Sequence, residues 1–197
     1  MQMQEIHEAL RKLYPDTPLV FGRGPVPADV MLIGEAPGAT EIEKGMPFCG
    51  QAGENLTAFL ASAGISRDKL YITNVCKFRP VRVNEGRRTT IANRTPTAAE
   101  VRQAVPLLLE EIALVNPRII VTLGNTPLTA VTGNRKLRVG DVHGTCQFAE
   151  EGPTAGRCLF ALYHPASIIY NRSLKERYEE DLAALRLRLE ELRLLHE

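Results

Sequence analysis

Four short apolar runs constrain the fold of this chain more than any other feature: Ala28 to Ile33, Leu70 to Val75, Arg118 to Leu123 and Cys158 to Tyr163. They are rich in β-branched and aliphatic residues and are separated by segments with helical spacing. Strands that alternate with helices need crossover connections, and crossovers join parallel neighbours. The expected architecture is α/β, a three-layer α/β/α arrangement around a central, mainly parallel four-stranded sheet. At 197 residues the chain is long enough for a sizeable core, and a single domain, 1–197, is expected.

The helical segments are marked by their own signals. Residues 2–13 carry Ile6, Leu10 and Leu13 on one face, and Pro15 stops them. Residues 52–64 place Leu56, Phe59, Leu60 and Ala63 at helical spacing, with Gly64 as the stop. Thr97 and Glu100 form a capping box that opens a helix over 98–115, with Val101, Val105, Leu108, Leu109 and Ile112 facing the core and Pro106 as a possible kink. A short helix is expected over 125–132. The last helix, 173–195, carries leucines at 182, 185, 189, 192 and 195, which suit packing on the sheet or a coiled-coil seam. Residues 39–50 and 78–95 read as loops, and the turn-rich stretch 133–155 has room for a hairpin.

Net charge is +1, so bulk charge does not point to a polyanionic partner. Its distribution is more informative. From Lys77 to Arg94 there are six basic side chains and one acid, a local +5 that leaves −4 for the rest of the chain. Such a loop suits a phosphate backbone, and it equally fits a solvated surface loop. The four cysteines, Cys49, Cys76, Cys146 and Cys158, form no CxxC pair and no zinc spacing, and are expected to stay as thiols in a reducing compartment. No apolar run is long enough to span a bilayer and no secretion signal is visible, so a cytoplasmic location without membrane association is expected. Neither GxGxxG nor GxxxxGK[ST] occurs, which leaves dinucleotide and P-loop chemistry unsupported.

In a parallel sheet the carboxyl ends of the strands share one edge, where ligands bind. Glu35 with Glu41, Asn74, Gly124-Asn125 and His164 all fall at or just beyond such ends. Each has a structural explanation when taken singly. Asn74 fits a turn cap, His164 before a proline fits an ordinary loop histidine, and Glu41 fits a helix-entry carboxylate satisfying free N–H groups. Their convergence favours function. An asparagine amide can make two hydrogen bonds to a base edge and distinguish oxo from amino groups. A histidine can donate to a developing oxyanion, and a carboxylate can orient water and stabilise a cationic sugar. Phe48 offers a ring for stacking. Together these groups can hydrolyse an N-glycosidic bond.

The segments that carry these residues are Gly34 to Gly38, Gly45 to Gly53, Tyr71 to Pro80, Ile119 to Gly124 and Tyr163 to Ser167. In that order they resemble the successive motifs of the uracil-DNA glycosylase superfamily, and are most similar to its family 4 branch. The resemblance implies a role for each position. Gly34, Pro37 and Gly38 form the turn beneath the base, and Ala36 gives a backbone contact. Glu35 is needed for activity, and Glu41 positions the attacking water. Phe48 stacks on the flipped base, Asn74 reads its polar edge, and Asn93 matches a family asparagine after the basic loop. His164 supports the leaving oxyanion. Pro165 and Ser167 belong to the segment, ending at Asn171, that the family inserts into DNA.

The chain departs from the family 4 pattern in two places. That branch usually holds a [4Fe–4S] cluster on four cysteines, two near the N-terminus, one after the lysine of the asparagine motif and one in the next helix. Residues 1–48 contain no cysteine, the third position is Phe78, and the fourth falls near Gln103 or Ala104. No iron–sulfur cluster, metal or other cofactor is therefore expected. The loop between Pro80 and Asn93 is longer and more basic than the family form, and Arg82, Arg87 and Arg88 are its candidate phosphate contacts. The expected function is a monomeric, monofunctional glycosylase acting on DNA that contains uracil. The rival readings are a glycosylase for another deaminated base, hypoxanthine or xanthine, and a catalytically silent nucleic-acid-binding relative.

Overall fold

In the computed structural model, residues 2–85, 89–148, 154–171 and 173–194 are described. In chain order the elements are α1 (Met3–Leu13), β1 (Val30–Gly34), α2 (Ala39–Lys44), α3 (Gln51–Ser62), β2 (Leu70–Asn74), β3 (Val81–Asn84), β4 (Thr90–Asn93), α4 (Ala98–Val115), β5 (Ile119–Leu123), α5 (Asn125–Thr132), α6 (Val139–Val142), β6 (Cys146–Phe148), β7 (Cys158–Leu162), α7 (Pro165–Tyr170) and α8 (Leu174–Glu191). A 3-10 turn, Arg67–Lys69, leads into β2.

The main sheet has the order β2-β1-β5-β7-β6. The expected parallel strands β2, β1, β5 and β7 form it, and β6 adds a fifth, antiparallel strand at the edge. The hairpin anticipated within 133–155 is not found among the described residues: the one strand there, β6, pairs with β7, which lies beyond that stretch. That pairing brings Cys146 and Cys158 to a Cα separation of 5.4 Å, where they form a disulfide. The expectation of four thiols is corrected accordingly: Cys49 and Cys76 alone are free.

Alternation along the strands divides the core into two layers. Val30 and Leu32 of β1 face one side, with Ile72, Val121 and Phe160, beneath Leu56 and Leu60 of α3 and Leu182, Leu185 and Leu189 of α8. Met31 and Ile33 face the other side, with Tyr71, Ile120 and Leu159, beneath Leu108 and Ile112 of α4 and Val131 of α5. Leu182, Leu185 and Leu189 of α8 therefore pack on the sheet, Leu187 is exposed, and Leu195 lies outside the described residues. Burial of such side chains is worth about 1.5–3 kcal/mol each, so the two layers fix the strand register that aligns the site.

Two segments read as loops contain regular structure. Gly38 is the N-cap of α2, its N–H donating to the Glu41 carboxylate, and Gly45, in the left-handed region at φ 62°, closes the helix. The basic stretch is an antiparallel hairpin in which Val81 pairs with Asn93 and Val83 with Ile91. The alternation Val81-Arg82-Val83-Asn84 is the period-two signal for it. Arg82 lies exposed on β3, whereas Arg87 and Arg88 lie outside the described residues.

Candidate active site

The parallel strands deliver their terminal residues to one edge. Gly34 closes β1 and pairs with Asn74 at the end of β2. The pairing continues past the strands: Val75 N–H donates to Gly34 O at 2.9 Å, Cys76 N–H to Glu35 O at 3.0 Å, and Gly124 N–H to Leu162 O at 2.8 Å. The residues after each strand are therefore held as firmly as the strands themselves.

At this edge lies a cavity of about 740 Å³. Of the residues expected to form the site, Glu35, Ala36, Pro37, Asn93, His164 and Ser167 line it. Asn74 and Phe48 do not line it but are buried beside it, 2% and 6% exposed. A Cβ placed on Gly34 would collide with both Asn74 Oδ1 and the Phe48 ring, so glycine is what lets the amide and the ring converge there. The Phe48 ring lies 5.9 Å from the His164 ring, centroid to centroid. Asn74 Oδ1 is buried with no hydrogen-bond partner among the described residues. Gly34, Gly38 and Pro165 act through the backbone turns at either side and do not line the cavity wall.

His164 caps α7, its Nδ1 accepting the N–H of Ala166 at 3.1 Å. That bond requires an unprotonated Nδ1, so the neutral ring carries its proton on Nε2. Burial pushes the imidazole below its ordinary pKa, against the opposing pull of the Glu41 carboxylate, and keeps it neutral.

The two carboxylates differ in their surroundings. Glu35 lines the cavity, and its Oε2 accepts the Thr126 hydroxyl at 2.5 Å. Glu41 holds two turns together, accepting Gly38 N–H on Oε2 at 3.1 Å and Gly50 N–H on Oε1 at 3.2 Å. The helix-entry reading of Glu41 describes its contacts. Asn93 Oδ1 accepts from Arg79 Nε at 2.7 Å.

Several supporting residues carry no signal that a strand-end reading would detect. Arg94, at the cavity wall, is gripped by both oxygens of Glu100 at 2.7 Å, and this partner holds the Glu100 carboxyl down at about 2. Thr126 and Tyr163 also line the cavity. Lys77 and Glu111 form a buried pair at 2.6 Å, and Lys77 Nζ also donates to Asn74 O at 2.6 Å.

The positions that correspond to cluster cysteines hold apolar and amide side chains. The Phe78 ring packs on Tyr14 at 4.9 Å, Tyr14 Oη donates to Gln103 Oε1 at 3.4 Å, and Ala104 is in the core. Cys76, close by in sequence, is a buried thiol pushed up to about 12, chiefly by desolvation. No group of three or more His, Cys, Asp or Glu side chains suited to a metal occurs among the described residues. Neither Phe78 nor Gln103 or Ala104 offers a thiolate to iron.

A buried amide oxygen with no partner among the described residues, beside an aromatic ring, suits a planar heterocycle, and the fold and site together define a protein that takes up a nucleic-acid base at the edge of a parallel sheet. Residues 21–187 match the model of the Uracil DNA glycosylase superfamily, and the chain belongs to that superfamily. It is 36% identical over 194 residues to a Type-4 uracil-DNA glycosylase of Pyrobaculum aerophilum, covering 93% of this chain and 92% of the relative. It is also 36% identical over 168 residues to a Type-4 uracil-DNA glycosylase of Archaeoglobus fulgidus, covering 84% and 79%. A DNA polymerase of Bacillus phage SP01 shares 28% identity over 170 residues, which are 86% of this chain and 17% of the polymerase.

Proposed function

We propose that this protein is a monofunctional uracil-DNA glycosylase that hydrolyses the N-glycosidic bond of uracil in DNA and leaves an abasic site. The observation that carries this reading is the unpartnered, buried Asn74 Oδ1. Uracil presents a ring N–H beside an oxo group. The N–H supplies the missing donor, and the Asn74 amide nitrogen donates to the oxo oxygen. Cytosine presents an unprotonated nitrogen and an amino group there, so acceptor would meet acceptor and donor would meet donor. Leaving a buried acceptor unpaired costs about 1–3 kcal/mol, a penalty that the matching base removes.

In the reaction the C1′–N1 bond breaks and its electron pair leaves with the base. Negative charge collects on the 2-oxo oxygen of the uracil anion, where the Nε2–H of neutral His164 is suited to donate. Water adds to C1′ and gives up its proton to the Glu35 carboxylate, which returns it to the released uracil anion through solvent. Glu35, in the cavity wall, is the carboxylate assigned here to the cationic sugar and the incoming water. Glu41 holds the turns that carry Glu35 and Phe48. The base must first leave the stack, at a cost of a few kcal/mol that is smallest in single strands. No helix among the described residues is long and apolar enough to cross a membrane.

The same reading takes the scaffold to work without an iron–sulfur cluster. Its support is that Phe78 and Gln103, which stand where the resemblance would place two of the cluster cysteines, offer no thiolate and both contact Tyr14. Iron and acid-labile sulfide measured on anaerobically purified protein test this, and stoichiometric amounts of both would overturn it.

The activity is tested with single- and double-stranded oligonucleotides carrying uracil, hypoxanthine or xanthine, followed by alkaline cleavage. Strand cleavage at uracil is expected, with loss of that cleavage in Asn74→Ala. No cleavage at uracil in either strand form at high enzyme concentration would remove the uracil assignment.

A further inference from the structure

Beside the base cavity lies a second concavity of about 570 Å³, between α4 and α5. The two share Asn125 and Thr126 in their walls, so they are contiguous. The floor of the second is apolar, made by Val101, Val105 and Ala130. Three guanidinium side chains rim it: Arg102 from α4, and Arg135 and Arg138 from the loop after α5. No carboxylate lines it. All three arginines are exposed, and none forms an ion pair among the described residues. Arg138 donates from Nη1 to the Arg135 carbonyl at 2.9 Å, which ties the Arg138 side chain to the Arg135 backbone without neutralising its charge.

We propose that this trough holds the sugar-phosphate backbone of the DNA strand that flanks the extruded base. Unpaired cations on one concave surface, with no acid among them, match a chain of phosphates. The apolar floor suits the sugar faces between phosphates. Sharing a wall with the base cavity gives the strand a continuous path from the lesion into the trough. The site is separate from the basic hairpin β3–β4. Its charges come from positions more than thirty residues apart in the chain, Arg102 and Arg135, which converge only when α4 and α5 pack together.

The proposal rests on the uracil-DNA reading and is tested with the full chain and two uracil-containing single strands. One is short and spans the lesion and its immediate neighbours; the other extends well beyond it on both sides. Binding is followed by fluorescence anisotropy across a salt series, for wild type and for the Arg102→Gln/Arg135→Gln/Arg138→Gln variant. The wild type is expected to bind the long strand more tightly than the short one, and the variant to lose that advantage. The slope of log affinity against log salt for the long strand should fall by about 2 units in the variant, from three contacts at about 0.7 each on single strands. A melting temperature close to wild type shows that the variant is folded, and Arg→Lys at the same three positions should restore part of the slope.

An unchanged slope and an unchanged length advantage in the folded variant would overturn the proposal. So would an equal loss on both strands, which would show a diffuse field rather than a track. Competition by inorganic phosphate that abolishes the wild-type length advantage at equal ionic strength would also overturn it, since the trough would then be a small-anion site. If neither protein releases uracil yet the variant still loses its length advantage, the catalytic reading fails and the trough stands.

Discussion

Arg67 donates from Nη2 to the Phe48 carbonyl at 2.8 Å, and the same nitrogen reaches the Pro47 carbonyl at 3.1 Å. Its other terminal nitrogen donates to Thr57 Oγ1 at 2.8 Å and to the Gly53 carbonyl at 3.3 Å. Phe48 sits in the left-handed region, at φ 51°, a conformation unfavourable for a bulky side chain. The Arg67 fork holds the backbone of that residue in place, and Gly53 leaves room for the Phe48 carbonyl, which a Cβ would strike. The Phe48 ring beside the cavity is thus fixed from the 3-10 turn before β2.

Replacing Arg67 with alanine should therefore affect both the fold and the site. Hydrogen bonds to a charged donor are worth about 1.5–3 kcal/mol each, but water reaches part of this side chain, so a net loss of about 2 kcal/mol is expected in urea unfolding. KM for uracil-containing DNA should rise as Phe48 is released. Arg67→Lys should recover little, because one ammonium cannot reproduce the planar fork. A variant with wild-type KM and stability would show that Arg67 does not hold the ring.

The buried pair beneath Asn74 predicts a different pattern. Glu111 accepts from Lys77 at 2.6 Å, from Tyr71 at 2.8 Å and from Thr73 at 3.1 Å, and Lys77 also reaches the Asn74 carbonyl. Removing one partner of a buried pair leaves the other charge uncompensated, at a cost of about 3–5 kcal/mol. Glu111→Ala should lose that much in urea unfolding. Glu111→Gln, which keeps an acceptor, should lose less, and should lower kcat/KM at a temperature where it is fully folded. Equal stabilities for the two variants would mean that the charge of Lys77 is dealt with in another way.

The parts of this molecule that were legible in the sequence are those fixed locally. The Thr97–Glu100 capping box, the strand β5 and the helix α5 need only neighbours within a few residues, and their bounds follow from propensity and spacing. The alignment of Glu35, Asn74 and His164 was legible because parallel strands put their carboxyl ends on one edge whatever their order. β6 was not: its three residues are too few to show a period, and its place depends on β7. Arg67 was invisible because its acceptors are carbonyls brought near by packing. Glu111 did leave a trace, as an acid within the otherwise apolar stripe of α4, Leu108, Ile112 and Val115, where only a buried partner would tolerate it.

The division of work between the two carboxylates can be separated by experiment. Glu35 lines the cavity, whereas both oxygens of Glu41 accept backbone N–H groups from the Gly38 and Gly50 turns. Glu35→Gln should lower kcat by about a hundredfold or more, the range of a lost acid-base group, with a melting temperature near wild type. Glu41→Gln exchanges one acceptor for a donor facing an N–H, and should cost about 1 kcal/mol or more of stability. A large loss of kcat in Glu41→Gln without any loss of stability would return the water-guiding role to Glu41.

His164 gives the fold a pH dependence of defined sign. Its folded pKa lies below the ordinary value of 6.5 because burial disfavours the charged ring, and the cap on Ala166 uses the unprotonated Nδ1. The unfolded chain therefore binds the proton first as pH falls. The stability contributed by neutral His164 is complete above 6.5 and is lost progressively below it, down through the folded pKa. Asparagine keeps an uncharged N-cap acceptor and does not titrate. Chemical unfolding of wild type and His164→Asn should give a stability difference that is constant above 6.5 and moves in favour of the variant as the solution is acidified. Burial also lowers His7, and the same comparison cancels it because both proteins contain it. A difference that stays flat through the acid range would show that His164 titrates at its ordinary value and that its cap on α7 survives protonation.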